Sequence, residues 1–228
     1  MVLMEKKVIK KCVSLVVVIL MFMIVAVCGY KYYIYGYPFA RAVKVDKCNW
    51  EIMLVNNKSY IDKEYEPECV NLSNGEKVDK RIYPQLQRMF DEARSEGISI
   101  TVRSGYRSWE EQKNLWTQEL ERLDEEGISL HEAIEQGVLS VQRAGTSEHQ
   151  TGMAVDINSM TDMDDTALYE WLKDNAYKYG FILRYPENKT DITGIMYEPW
   201  HFRYVGETTA AIIKNEDLCL EEYIDKYE

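Results

Sequence analysis

The chain predicts an α+β fold: one domain with a mainly antiparallel sheet flanked by helices, preceded by a membrane-spanning helix. Three observations carry this. An uncharged apolar run near the N-terminus is long enough to cross a bilayer. The remainder, about 180 residues without a repeat or Gly/Ser linker, is one domain's worth of chain. Its periodic segments mix alternating and 3.6-residue patterns with no regular strand–helix–strand rhythm, which points away from a parallel sheet.

Residues 1–11 hold Lys6, Lys7, Lys10 and Lys11 against Glu5, and residues 12–30 follow without a charge. That run approaches the ~20 apolar residues a helix needs to cross a ~30 Å hydrocarbon core. Val25-Ala26-Val27-Cys28 is a poor small-x-small cleavage site and a poor lipobox, because valines stand where small residues belong. The basic flank predicts a cytoplasmic tail at 1–11, a single-pass signal anchor at 12–30 and an external position for the domain that follows. Residues 31–47 read as a stalk and 48–228 as the domain.

Within the domain, Trp50 to Asn56 reads as a strand ending at an Asn-Asn turn, and Ile61 to Cys69 as extended chain. Ile82, Leu86, Met89, Phe90 and Ala93 recur at helical spacing within 79–96, and Gly97 supplies a left-handed stop. Ile98, Ile100 and Val102 alternate like a half-buried strand. Ser108 suits an N-cap with Glu110 and Glu111 in the first turn, and Leu115, Trp116, Leu120 and Leu123 share the following helix's apolar side. Residues 130–137 read as a short helix and 153–157 as a strand. A helix over 164–179 is closed by Gly180, and strands follow at 181–184 and 201–205.

Five Lys and one Glu lie within residues 1–31, which leaves 22 basic against 37 acidic residues and a formal charge of about −15. Such a surface repels nucleic acid and anionic lipid. Of five cysteines, Cys12 and Cys28 fall in the apolar run, while Cys48, Cys69 and Cys219 lie outside it with no metal-type spacing. Two readings stand for these: a Cys48–Cys69 disulfide closing a short loop, or three free thiols.

The chemistry concentrates in two stretches, Ser147 to Asp156 and Glu198 to His201, which hold two of the chain's three histidines. Two imidazoles and a carboxylate, from His149, Asp156 and His201, are a usual ligand set for a catalytic zinc. Ala154 and Asp156 share one strand face at i and i+2, and the small residue leaves room beside the carboxylate. Glu198 and His201 have opposite strand parity, so a bend at Pro199 is needed to aim both at one site. Glu198 is then placed to take a proton from water. Trp200 reads as a wall of the metal pocket. In Ser104-Gly105-Tyr106-Arg107-Ser108, a strand runs into a helix and Arg107 is placed to stabilise an oxyanion or grip a carboxylate; Gln112, one turn on, is placed to hydrogen-bond substrate. His131, among Glu132 and Glu135, reads as solvated. The combination indicates a metal-dependent hydrolase.

The pattern SxHxxGxAxD followed by ExWH, with SGYRS and Gln112 upstream, resembles the VanY-type zinc D-alanyl-D-alanine carboxypeptidases, within the bacterial D,D-peptidases that share a fold with Hedgehog N-domains. The resemblance spans roughly residues 48–206, and every fixed position of both motifs is filled. It implies that His149, Asp156 and His201 bind one Zn²⁺, that Glu198 is the general base, and that Arg107 polarises the scissile carbonyl. Ser147, Gln112, Tyr106, Ser108 and Trp200 would contact substrate. The implied reaction removes the terminal D-Ala from peptidoglycan stem peptides or their lipid-linked precursors, in wall metabolism or glycopeptide resistance. An L,D-carboxypeptidase, a stem-peptide endopeptidase and a non-catalytic zinc module that binds the wall stand beside it, with residues 125–146 a source of the discrimination. The tail at 216–228 is peculiar to this chain.

Overall fold

The computed structural model describes residues 2–35, 40–43, 49–135, 141–160 and 165–228. Helix α1 (Val2–Tyr35) contains the span Cys12–Tyr30, 19 residues of mean hydropathy 3.0. Its length and composition suit a membrane anchor or a signal sequence. In chain order β1 (Arg41–Ala42), β2 (Ser59–Tyr60), β3 (Cys69–Asn71), β4 (Lys77–Asp79), α2 (Tyr83–Ser95), β5 (Thr101–Ser104), α3 (Trp109–Glu126) and α4 (Leu130–Glu135) follow. Then come β6 (Ala154–Asn158), α5 (Thr166–Asn175), β7 (Phe181–Leu183), α6 (Thr190–Thr193), β8 (His201–Tyr204), α7 (Glu207–Glu216) and α8 (Leu220–Tyr227).

The central sheet is antiparallel with strand order β5-β6-β8-β7. Alternation gives it two unlike faces. Val102, Val155, Ile157, Phe181, Phe202 and Tyr204 join Leu86, Met89 and Phe90 of α2 and Leu168, Trp171 and Leu172 of α5 in the main core. On the other face, β6 presents Ala154 and Asp156 and β8 presents His201 and Arg203 in register with them. Ile182 lies on that face too, in a smaller apolar cluster with Val205, Ala210, Ile213, Leu220 and Tyr223.

Several expected boundaries move for identifiable reasons. Trp50 to Asn56 is not a strand: Trp50–Ile52 is a single 3₁₀ turn, and the Glu51 and Met53 carbonyls accept hydrogen bonds from Arg203 Nη2 at 3.0 and 2.9 Å. A buried guanidinium takes the acceptors that a neighbouring strand would need. Only Cys69 of the extended 61–69 segment enters a strand, in the β3–β4 hairpin. That hairpin also delays α2, because Asp79 is held in β4 by its N–H donating to the Gly152 carbonyl. β5 starts at Thr101 rather than Ile98, since the Ile98 N–H still donates to the Ala93 carbonyl at 2.9 Å, in the left-handed wrap around Gly97 that closes α2. α5 ends at Asn175 in a 3₁₀ turn, Ala176–Tyr179. The last residues of the expected 130–137 helix, and Cys48 of the considered disulfide, lie outside the described residues. Among the described residues, Cys69 and Cys219 pair with no other cysteine, and they are half-buried and buried respectively. Within the expected stalk, Ala40 is buried and β1 pairs in parallel with β2, so residues 40–42 pack on the domain.

The second sheet face is held together by charge as well as apolar contact. Arg184 and Arg203 are fully buried, and both donate to Glu148 Oε1, at 2.8 and 3.0 Å. Arg184 also makes a bidentate pair with Glu221 of α8, at 2.7 and 2.8 Å. Burial acts to raise the Glu221 carboxyl, but Arg184 outweighs it and holds the group below its ordinary range. A depressed folded-state pKa stabilises the fold above the unfolded value of ~4.3 and loses that contribution as pH falls through the folded one. Glu221→Gln should therefore cost about 3 kcal/mol at neutral pH, and the gap to wild type in denaturant titrations should narrow toward acid. A gap independent of pH would count against an ionised pair.

Candidate metal centre

Three elements converge at the site. Asp156 on β6 and His201 on β8 are direct cross-strand neighbours. His149 comes from the 3₁₀ turn Glu148–Thr151 that leads into β6. Gly152 ends this turn at φ +71°, where a Cβ would sit 3.0 Å from the Asp79 nitrogen, so glycine is what lets the turn close against β4. A Cβ on Gly105 would collide with the Lys77 carbonyl oxygen. Its absence allows the Gly105 carbonyl to reach His149 Nδ1 at 2.8 Å. A carbonyl only accepts, so Nδ1 carries the proton and the Nε2 lone pair faces Asp156 Oδ2, 3.4 Å away.

His201 turns its Nδ1 toward Asp156 Oδ1 at 3.0 Å and toward Glu198 Oε2 at 3.7 Å. Its ring lies 4.9 Å from that of His149, edge to face, and 4.9 Å from Tyr185. Glu198 reaches the site through the bend at Pro199, which is closed by the His201 N–H donating to the Glu198 carbonyl at 3.1 Å. Arg107 is fixed by Ser104 Oγ at 3.0 Å, Gln112 Oε1 at 3.2 Å and Asp156 Oδ2 at 3.3 Å.

The residues fit a metal ion. One donor atom from each of His149, Asp156 and His201 lies within 4.8 Å of the other two. Ligands ~2.0–2.1 Å from a tetrahedral centre stand about 3.3 Å apart, and the imidazoles approach the Asp156 carboxylate on that scale, His201 Nδ1 at 3.0 Å from Oδ1 and His149 Nε2 at 3.4 Å from Oδ2. The charge balance points the same way. Burial acts to lower the His201 pKa, yet the bond to Asp156 and the nearby carboxylates of Glu148 and Glu198 raise it to about 9. Three carboxylates around two imidazoles make a site that favours a cation. Burial pushes His149 down, which keeps its lone pair available. Burial would raise Asp156, but the two histidines hold it well below the carboxylate range. Glu198 is raised, chiefly by burial and against the pull of His201 and Arg107, as suits a proton acceptor near neutral pH.

A cavity of about 60 Å³ adjoins these groups, lined also by Val141, Gln142, Ser147, Tyr185 and Ile195. Ser147 thus faces the site, as does part of the 125–146 segment. Gln112 does not offer its amide to a ligand: it is fully buried, bonded to Arg107 and, through Nε2, to the Gln142 carbonyl at 2.5 Å. Ser108 serves α3 instead, in a capping box with Glu111. Tyr106 and Trp200 are not among the lining residues, and Trp200, of opposite parity to His201, is 38 % exposed. Tyr185 and Ile195 went unnoticed in the sequence, where each reads as ordinary core. Glu148 did too; its signal is adjacency to His149, and its partners are remote.

A family model described as D-alanyl-D-alanine carboxypeptidase (VanY) matches residues 75–207. The chain belongs to the VanY family. A D-alanyl-D-alanine carboxypeptidase from Enterococcus faecalis is 43 % identical over 181 residues, covering 79 % of this chain and 68 % of that protein. Among solved structures, VanYB in complex with D-alanine-D-alanine is 42 % identical with a TM-score of 0.72, covering 78 % of this chain and 99 % of that one. A mutant of the vancomycin resistance D,D-pentapeptidase VanY, in complex with Zn(II), is 43 % identical with a TM-score of 0.70 over 77 % of this chain and 99 % of that chain. The LD-carboxypeptidase LdcB is 35 % identical with a TM-score of 0.67, covering 83 % and 99 % of the two chains. The VanY fold thus accounts for the mixed single domain described above.

Replacing any one of His149, Asp156 or His201 by Ala should weaken Zn(II) retention by more than about 100-fold, beyond the loss typical of outer contacts. His131→Ala should leave it unchanged. Competition with a chromophoric chelator measures both, and tight binding by Asp156→Ala would place the metal elsewhere.

Proposed function

We propose that the chain is a zinc-dependent D,D-carboxypeptidase acting on peptidoglycan stem peptides or lipid-linked precursors that end in D-Ala-D-Ala, with His149, Asp156 and His201 holding one zinc. The observation that carries this is Glu198 Oε2, 3.7 Å from the inward-facing nitrogen of His201 and beside the small cavity. A purely structural site needs no such base. Membership of the VanY family supports the substrate class.

When bound, the ion supplies Lewis acidity. Glu198 accepts the proton from the attacking water, whose oxygen adds to the carbonyl carbon of the terminal peptide bond. The same carboxyl returns the proton to the departing nitrogen as the carbon–nitrogen bond breaks, and D-Ala leaves. Arg107, held on three sides, stabilises the negative charge that grows on the carbonyl oxygen. Ser147, Tyr185 and Ile195 confine the terminal residue, and the tight space suits a methyl side chain.

The four basic residues before the apolar run support a single-pass anchor over residues 12–30 with a cytoplasmic tail at 1–11. Residues 31–47 would link it to an external catalytic domain at 48–228, with Ala40 and β1 already resting on that domain. An external domain would meet its substrate at the wall. The likeness to LdcB favours, as a second reading, trimming of a tetrapeptide by the same residues.

Incubating the full chain in detergent with a pentapeptide ending in D-Ala-D-Ala, and separately with the tetrapeptide, distinguishes the two by mass. Chelator-sensitive loss of one alanine from the pentapeptide alone is expected; loss from the tetrapeptide alone would move the assignment to L,D-carboxypeptidase. Glu198→Gln should lower kcat by about 10²–10⁴-fold while retaining zinc, and full turnover by that variant would remove Glu198 from the mechanism.

A further inference from the structure

Glu148 divides its two oxygens in an unusual way for a buried ion pair. Oε1 accepts from both Arg184 and Arg203, at 2.8 and 3.0 Å. Among the described residues Oε2 has no hydrogen-bond partner, and neither has His201 Nε2; these two buried atoms face each other at 3.7 Å. A carboxylate placed only to neutralise the arginines gains by offering them both oxygens in a fork. Here the second oxygen is left over for the imidazole.

The chemistry of that imidazole makes the arrangement purposeful. His201 lies between two carboxylates, Asp156 at Nδ1 and Glu148 at Nε2. A neutral ring has one proton to place. If it sits on Nδ1, it is spent on Asp156 and the inward nitrogen is closed to a metal. If it sits on Nε2, the Nδ1 lone pair faces the site.

We propose that Glu148 is a positioning residue for the metal centre: its Oε2 accepts the Nε2 proton of His201, fixing the tautomer and ring plane that offer Nδ1 to the ion. The proposal rests on the zinc reading above. Arg184 and Arg203 in turn clamp Glu148, and Glu221 offsets the second arginine charge from α8. One short turn thus supplies a ligand, His149, and the orienting group for another. Partners of this kind raise ligand basicity and set ring orientation.

The test uses the full chain in detergent. Glu148→Gln preserves shape but removes the carboxylate, and should weaken Zn(II) binding by about 10–100-fold in chelator competition. Glu221→Gln removes a negative charge from the same arginine without touching His201, and should leave the zinc dissociation constant close to wild type. With ¹⁵N-histidine labelling, the zinc-loaded wild type should show the His201 Nε2 proton shifted downfield and exchanging slowly with water, a signature that a merely structural role would not produce. A folded Glu148→Gln with unchanged zinc affinity overturns the proposal, as does equal weakening in both variants. If Glu148→Gln does not fold, the wild-type spectrum decides: a rapidly exchanging or Nδ1-bound proton on His201 overturns it. A wild type that retains no zinc overturns the zinc reading and this proposal with it.

Discussion

Asp156 faces His201 across the β6–β8 ladder, and the rest of the site is arranged around that pairing. Side chains alternate along a strand, so a slip of one residue would carry Asp156 and His201 to opposite faces. The register is pinned by the residues between them: Val155 pairs with Phe202, and both are buried in the main core. Apolar packing on one face therefore sets the spacing of the polar groups on the other. His149 need only be brought to a pair already in place, which the close approach at Gly105 and Gly152 achieves.

The polar face is stable because its buried charges form a closed set. Two buried arginines are matched by Glu148 and Glu221, and the spare donors of Arg203 reach backbone carbonyls at Glu51, Met53 and Tyr204. Isolated, any of these ions would carry a heavy desolvation penalty. The same set ties the C-terminal helix α8 to the turn that holds His149. A tail with no evident purpose in the sequence is thereby tied to the domain through a buried arginine.

The convergence of Asp156, Glu198 and His201 was legible because strand parity can be counted in their short motifs and Pro199 forces the bend that parity requires, and His149 stands in the same short motif as Asp156. The helices around Leu86 to Ala93 and Leu115 to Leu123 were legible from their apolar rhythm. Side-chain-to-backbone bonds defeated the reading elsewhere. Trp50 to Asn56 has the composition of a strand, but its carbonyls are claimed by Arg203, 150 positions from Met53. Glu148 went unnoticed, since its partners Arg184 and Arg203 are 36 and 55 positions away. Gln112 and Ser108 sit at suggestive offsets from Arg107, yet one is spent on internal bonds and the other on a helix cap.

Two imidazoles and one carboxylate, brought together by the β6–β8 register and the turn that precedes β6, form a set that could hold one metal ion. Zinc K-edge absorption on the purified full chain, combined with metal analysis, tests it most directly. The account predicts one zinc per chain in a first shell of nitrogen and oxygen only, with the multiple scattering of two imidazoles. Sulfur in that shell, or scattering from fewer than two imidazoles, would contradict it.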